Sequence, residues 1–135
     1  MVQFVVYYGE ANANGKTLTK KNTASPPTIQ LQGNPGKVYT VLMSDPDAPA
    51  KSWLHWLVTN IPAEASSISE AQTVVPYSGP SPPSGTHRYI FTLYEHPGGS
   101  IMVTAPSERG YFSVEEFERK HRLQKIVSRI VRVPA

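Results

Sequence analysis

The chain has 135 residues, a formal net charge of +3 and no cysteine. That length suits one domain, spanning 1–135, which can bury a single core without staples. The missing thiols exclude disulfides and cysteine-ligated metals and favour a cytoplasmic home, while the opening Met1–Tyr8 does not read as a signal peptide and no apolar run approaches a membrane span.

Thirteen prolines and nine glycines punctuate short apolar runs instead of gathering in a tail, the pattern of a turn-rich all-β domain. Residues 3–8 alternate around β-branched and aromatic types and predict a strand. Residues 11–26 are polar, with Asn14-Gly15 and Pro26-Pro27, and read as loop. Thr28–Gln32 is a short strand and Asn34-Pro35-Gly36-Lys37 a turn. Val38–Met43 is a continuous apolar run, expected to be a strand buried on both faces; Trp56–Ile61 is another. Residues 63–71 are small and polar, a surface connection. Thr73–Val75 and Tyr89–Tyr94 are strands, His96-Pro97-Gly98-Gly99 is a turn, and Ile101–Thr104 reads as a further strand. Ser113-Val114-Glu115-Glu116 is a capping box opening a helix through about Leu123. The β-branched content of Ile126–Val133 favours a last strand. Much of the positive charge lies at Arg119, Lys120, Arg122, Lys125, Arg129 and Arg132, opposed by Glu115, Glu116 and Glu118. That run reads as a solvated face, so no nucleic-acid partner is expected. His96 and His121 are expected to face solvent.

Two segments carry chemistry. One is Asp45-Pro46-Asp47-Ala48-Pro49 with Trp53-Leu54-His55-Trp56 close behind; the other runs from Tyr77-Ser78-Gly79-Pro80-Ser81-Pro82-Pro83 to Gly85-Thr86-His87-Arg88-Tyr89. Each joins a rigid Pro/Gly turn to a histidine near the start of an apolar run. A phosphate-like anion needs donors in fixed geometry. The histidines offer ring nitrogens, glycine lets backbone amides approach, and proline holds the loop in one shape. Asp45 would repel phosphate, so it fits either as the group that orients a histidine or as acceptor for a cation on a phosphorylated headgroup. In the second case Trp53 and Tyr89 would offer aromatic faces. Taken singly, the Asp-Pro turn and a core His55 are ordinary; taken together they point to a small-anion site. A metal-dependent enzyme could use the same His/His/Asp set, but the spacing lacks a short His-x-Asp element. A hydrolase lacks its Gly-x-Ser-x-Gly turn.

Asp45-Pro46-Asp47-Ala48-Pro49, His55-Trp56-Leu57-Val58-Thr59-Asn60-Ile61-Pro62 and Gly85-Thr86-His87-Arg88-Tyr89, in this order, make the chain similar to the phosphatidylethanolamine-binding proteins, which include Raf kinase inhibitor proteins and the plant florigen group. Ala105-Pro106, Tyr111-Phe112-Ser113 and Phe117 are weaker matches. The resemblance implies an all-β fold, an antiparallel Greek-key β-sandwich with peripheral short helices. It implies a monomeric, non-enzymatic binding or regulatory protein without cofactor. Its pocket would take a small anionic ligand such as a phosphorylated headgroup or phospho-residue. A kinase or protease is the candidate protein partner, and inhibition through a surface other than the pocket is the alternative. Asp45 and His55 match pocket residues of the first motif; Gly79, Pro80, Pro82, His87 and Tyr89 match those of the second. Pro49 and Trp53 match the pocket rim. Asp47 and Arg88 match structural positions, with Asp47 bracing its loop and Arg88 pairing with it. The link from Pro49 to Trp53 is shorter than in eukaryotic members, which implies a more open lip, and Trp53 resembles animal rather than plant members.

Overall fold

A computed structural model describes residues 2–64, 68 and 71–135. Among them the chain forms strands β1 (Gln3–Tyr8), β2 (Ala11–Asn12), β3 (Thr28–Gln32), β4 (Val38–Asp45), β5 (Trp53–Pro62), β6 (Gln72–Val75), β7 (Thr86–His96) and β8 (Gln124–Pro134), with one helix, α1 (Val114–Lys120). The strands make a three-stranded sheet ordered β2-β1-β3 and a five-stranded sheet ordered β6-β5-β4-β7-β8. All strand pairs are antiparallel. The link from β6 to β7 passes over β5 and β4, a Greek-key connection.

The sequence pattern explains the layers. In β3, Ile29 and Leu31 point inward while Thr28, Gln30 and Gln32 face out, the alternation of a strand covered on one side. β4 is buried almost throughout, because it is the central strand of a sheet covered on both faces. One face presents Val41, Met43, Trp56, Val58, Phe91 and Leu93 to Phe4, Val6, Ile29 and Leu31 of the smaller sheet. The other presents Leu42, Leu54, Leu57 and Tyr94 to Phe117 of α1, with Val103 and Phe112 packed alongside. Pro35 and Gly36 make the turn into β4: Gly36 takes φ +79°, and Lys37 N–H donates to the Asn34 carbonyl at 3.1 Å. The outer edge of β8 is shielded where Leu18 N–H donates to Arg132 O at 2.8 Å and Arg132 N–H donates to Lys16 O at 2.9 Å. Covering an edge in this way blunts unwanted strand pairing.

Several expectations need correction. Ile101–Thr104 is not a strand; the Asn60 side-chain amide takes both the N–H and the C=O of Ile101, at 2.9 Å each. Ser113 does cap α1, accepting from Glu116 N–H at 3.2 Å, but the helix ends at Lys120 because Arg122 turns to φ +53°. Residues 11–26 are loop apart from the short strand β2. His96 does not face solvent. It ends β7 fully buried, bonded at 2.6 Å to Thr40 Oγ1 through Nε2 and donating from Nδ1 to Gly99 O at 2.9 Å, and burial lowers its pKa. His121 is half-buried against the Phe117 ring. The connection expected over 63–71 lies largely outside the described residues.

Candidate functional site

The register of the large sheet builds a site at one end of its inner face. Opposite partners run Leu42↔Leu57 and Met43↔Trp56, then jump to Ser44↔Leu54 and Asp45↔Trp53. His55 is therefore the extra residue of a β-bulge, unpaired in the ladder. A bulge re-aims a side chain and changes the alternation around it. Here it lets Leu54 and Leu57 both pack toward α1 while Trp53, His55 and Trp56 serve the other side. On β7 the period of two places His87 and Tyr89 on the inner face, in line with Phe91 and Leu93. The resulting cavity, about 220 Å³, is lined by Asp45, Ala48, Pro49, Trp53, His55, Ser78, Gly79, Ser81, Pro82, Pro83, His87 and Tyr89. Its size suits a small group rather than a drug-sized or lipid-chain ligand.

Each histidine is fixed through Nδ1. His55 Nδ1–H donates to the Ser78 carbonyl at 2.6 Å, and Ser78 N–H donates back to the His55 carbonyl at 2.9 Å. Its ring stands edge-to-face between Trp53, 4.5 Å away, and Tyr89, 5.1 Å away. His87 Nδ1–H donates to Asp45 Oδ2 at 2.8 Å, while Asp45 Oδ1 accepts from Asp47 N–H at 2.8 Å. Both Asp45 oxygens are thus engaged, and the carboxylate orients the His87 ring. Burial pushes the His55 pKa down, against the opposing pull of the Ser78 carbonyl and Asp45. Burial, with the Asp45 carboxylate second, pushes the Tyr89 phenol up.

The walls are braced from outside. Arg88 grips Asp47 with Nε at 3.0 Å, Nη2 at 2.8 Å and its backbone N–H at 2.9 Å, and the guanidinium holds the Asp47 carboxyl down at about 2. Behind the second loop, Tyr77 OH donates to Thr23 O at 2.6 Å and meets Tyr8 OH at 2.5 Å. Gly79 lies so close to the 19–26 turn that a Cβ there would stand 3.0 Å from Thr23 O.

Sequence reasoning missed two things. Pro80 does not line the cavity; it is buried behind the wall, whereas Ala48, Ser78, Ser81 and Pro83 face inward. Arg109 lies outside every motif read from the sequence. Its guanidinium donates to the carbonyls of Leu54 (3.3 Å), His55 (3.0 Å) and Pro76 (2.9 Å) and lies 5.3 Å from the centre of the Trp53 ring. It is the sole Lys or Arg between Arg88 and Arg119, and that isolation was its only signal. Among the described residues no group of three His, Asp or Glu side chains is placed to hold a metal ion. Asp45 is turned toward His87 Nδ1, so the side chains of the His/His/Asp set are not gathered around one point where an ion could sit.

Residues 9–130 match the family model described as phosphatidylethanolamine-binding protein. The chain is 33% identical over 133 residues to Protein MOTHER of FT and TFL1 homolog 2 of Oryza sativa subsp. japonica, covering 90% of this chain and 75% of that one. It is 32% identical over 125 residues to Protein BROTHER of FT and TFL 1 of Arabidopsis thaliana, covering 87% and 70%. Among solved structures it resembles a carboxypeptidase Y inhibitor in complex with its cognate proteinase, with a TM-score of 0.83, 22% identity and coverage of 98% and 82%. It also resembles E. coli YbcL, with a TM-score of 0.69, 23% identity and coverage of 98% of both chains.

Proposed function

The chain belongs to the phosphatidylethanolamine-binding protein family, and from that premise we propose that it is a non-enzymatic binding protein whose pocket takes a small phosphorylated group, a headgroup or a phospho-residue. One observation carries this reading. Two buried histidines, each anchored through Nδ1, line the same small cavity beside Ser78, Gly79 and Ser81. Among the described residues no serine hydroxyl of the wall, on Ser78 or Ser81, is hydrogen-bonded to a histidine ring, so no hydroxyl is paired with a base. The test is an NMR titration with O-phosphoethanolamine. Resonances of residues 45–55 and 78–89 should shift together at millimolar ligand; if they stay still, the reading fails.

A second reading rests on a different surface. Met102 and Tyr111 are strongly exposed at 92% and 74%, beside a shallow groove lined by Val103, Pro106, Phe112 and Phe117. Such a patch suits a protein partner, a kinase or a protease, engaged away from the pocket. A partner captured by wild type and retained by His87→Ala, but lost by Tyr111→Ser, would support it. Loss with His87→Ala alone would return the function to the pocket.

A further inference from the structure

Resting on the anion-pocket reading, the hydrogen-bond geometry narrows the ligand. A backbone carbonyl can only accept, so the Ser78 contact at 2.6 Å fixes the proton of neutral His55 on Nδ1. Its Nε2 then carries a lone pair. His87 likewise commits Nδ1–H to the Asp45 carboxylate at 2.8 Å. Among the described residues neither Nε2 has a hydrogen-bond partner. No side-chain nitrogen or oxygen is both sealed from solvent and unbonded among the described residues, so both Nε2 atoms are open to the cavity. The site therefore presents at least one acceptor, on His55, to a ligand expected to be an anion. A wholly deprotonated anion would place oxygen lone pairs against that nitrogen lone pair.

We infer that the pocket selects phosphomonoesters, bound with one proton lying between a phosphate oxygen and His55 Nε2, and disfavours anions that carry no such proton. A phosphomonoester monoanion has one O–H to donate to His55 Nε2, and its other oxygens can accept from His87 only when that ring carries a second proton, on Nε2. A sulfate ester has the same tetrahedral shape and charge but no proton. A phosphodiester, the linkage in an intact phospholipid headgroup, also has none. For both of these the proton must go onto His55 itself, in a buried position between Trp53 and Tyr89. The charged and titratable groups around His55 are Asp45 on β4, His87 and Tyr89 on β7, and Arg109 on the 105–112 segment; Asp47 lies beyond His87. Arg109 disfavours a positive His55, and Asp45, which favours one, already serves His87.

Calorimetric titration of the whole chain tests this with O-phosphoethanolamine, its sulfate-ester analogue and glycerophosphoethanolamine, in buffers of different ionisation enthalpy. The second ionisation of a phosphomonoester falls near pH 6. Binding of the monoester should take up close to one proton at pH 7.5 and strengthen about 15-fold on going to pH 6, as the monoanion fraction rises. The sulfate ester and the diester should each bind at least about tenfold more weakly at pH 6, since a buried polar group left without its partner typically costs more than a factor of ten. Equal affinity for the sulfate ester and the phosphomonoester, or monoester binding with no proton uptake, would overturn the inference while leaving the pocket reading intact. If none of the three ligands binds, the pocket reading itself falls and this inference falls with it.

Discussion

Replacing Asp45 by Asn tests the orienting role of the carboxylate almost without steric change. Asp45 accepts from two donors, His87 Nδ1–H and Asp47 N–H, both at 2.8 Å. An amide has one accepting oxygen and one donating nitrogen, so it cannot serve both donors as they stand. It can resolve the conflict by keeping its oxygen on Asp47 and donating to His87 Nδ1. The His87 proton must then move to Nε2, aimed into the cavity. The cost is the loss of charge assistance in two bonds. Bonds to charged groups contribute about 1.5–3 kcal/mol and neutral ones about 0.5–1.5, so Asp45→Asn should destabilise by about 2 kcal/mol. Asp45→Ala, which leaves both buried donors without an acceptor, should cost about 3–5 kcal/mol. Urea denaturation gives the stabilities, and long-range ¹⁵N–¹H correlation of the imidazole nitrogens gives the tautomer. A proton still on Nδ1 in Asp45→Asn, or equal destabilisation by the two substitutions, would refute the orienting role.

The lowered pKa values of His96 and His55 set a sign for pH dependence: the fold holds the neutral form, so their contribution is complete above the unfolded value near 6.5 and is lost as pH falls through the lower folded values. Each can add a slope approaching about 1.4 kcal/mol per pH unit in that window, and a His96→Gln variant whose stability falls as steeply between pH 7 and 5 would contradict its share. The Asp47 carboxyl, held at about 2, contributes stability above the unfolded value near 3.8 that is lost as pH falls toward 2. Because the Arg88 pair is part-exposed, Asp47→Ala should cost only about 1 kcal/mol, with a coupling near 0.5–1 kcal/mol in the double cycle with Arg88→Ala. Gly79→Ala would bring Cβ within 3.0 Å of Thr23 O and 3.2 Å of Ala24 Cα, both backbone atoms that yield poorly. The pocket loop should shift, and O-phosphoethanolamine binding should weaken several-fold at little cost in stability; unchanged affinity would show that the 19–26 turn does not set the wall.

The parts of the fold that were legible in the sequence are those where one local rule acts alone. β3 matches its predicted Thr28–Gln32 because a clean alternation is bounded by Pro26-Pro27 and Gly33. The apolar run in the sequence starts β5 at Trp56, three residues late, because its bulge breaks the period of two at His55: Leu54 and Leu57 face one way, and His55 stands outside the ladder. From sequence His96 reads as exposed, because a His-Pro-Gly-Gly turn suggests solvent. Its place at the end of β7 instead puts the ring against Thr40, which also bonds Thr59 at 2.9 Å in the buried sheet. Rigid Pro/Gly loops announced a site but not which loop residues face it, since proline fixes φ without fixing which side turns inward. Pro80 therefore reads from sequence as a lining residue, while Ser78 and Ser81 do not.

His55 shows why the rest was illegible. A bulged residue leaves its backbone groups without ladder partners, and buried groups must find others. The His55 carbonyl accepts from Ser78 N–H at 2.9 Å and from Arg109 Nη1 at 3.0 Å. The same Arg109 holds Pro76 O, and the same Ser78 takes the His55 ring proton. Two segments far from His55 in sequence, 76–78 and Arg109, are therefore tied to it by the groups that the bulge exposes. No local pattern records such a tie. The histidine that sequence chemistry marked as a donor is held, by those same bonds, as an acceptor facing the cavity.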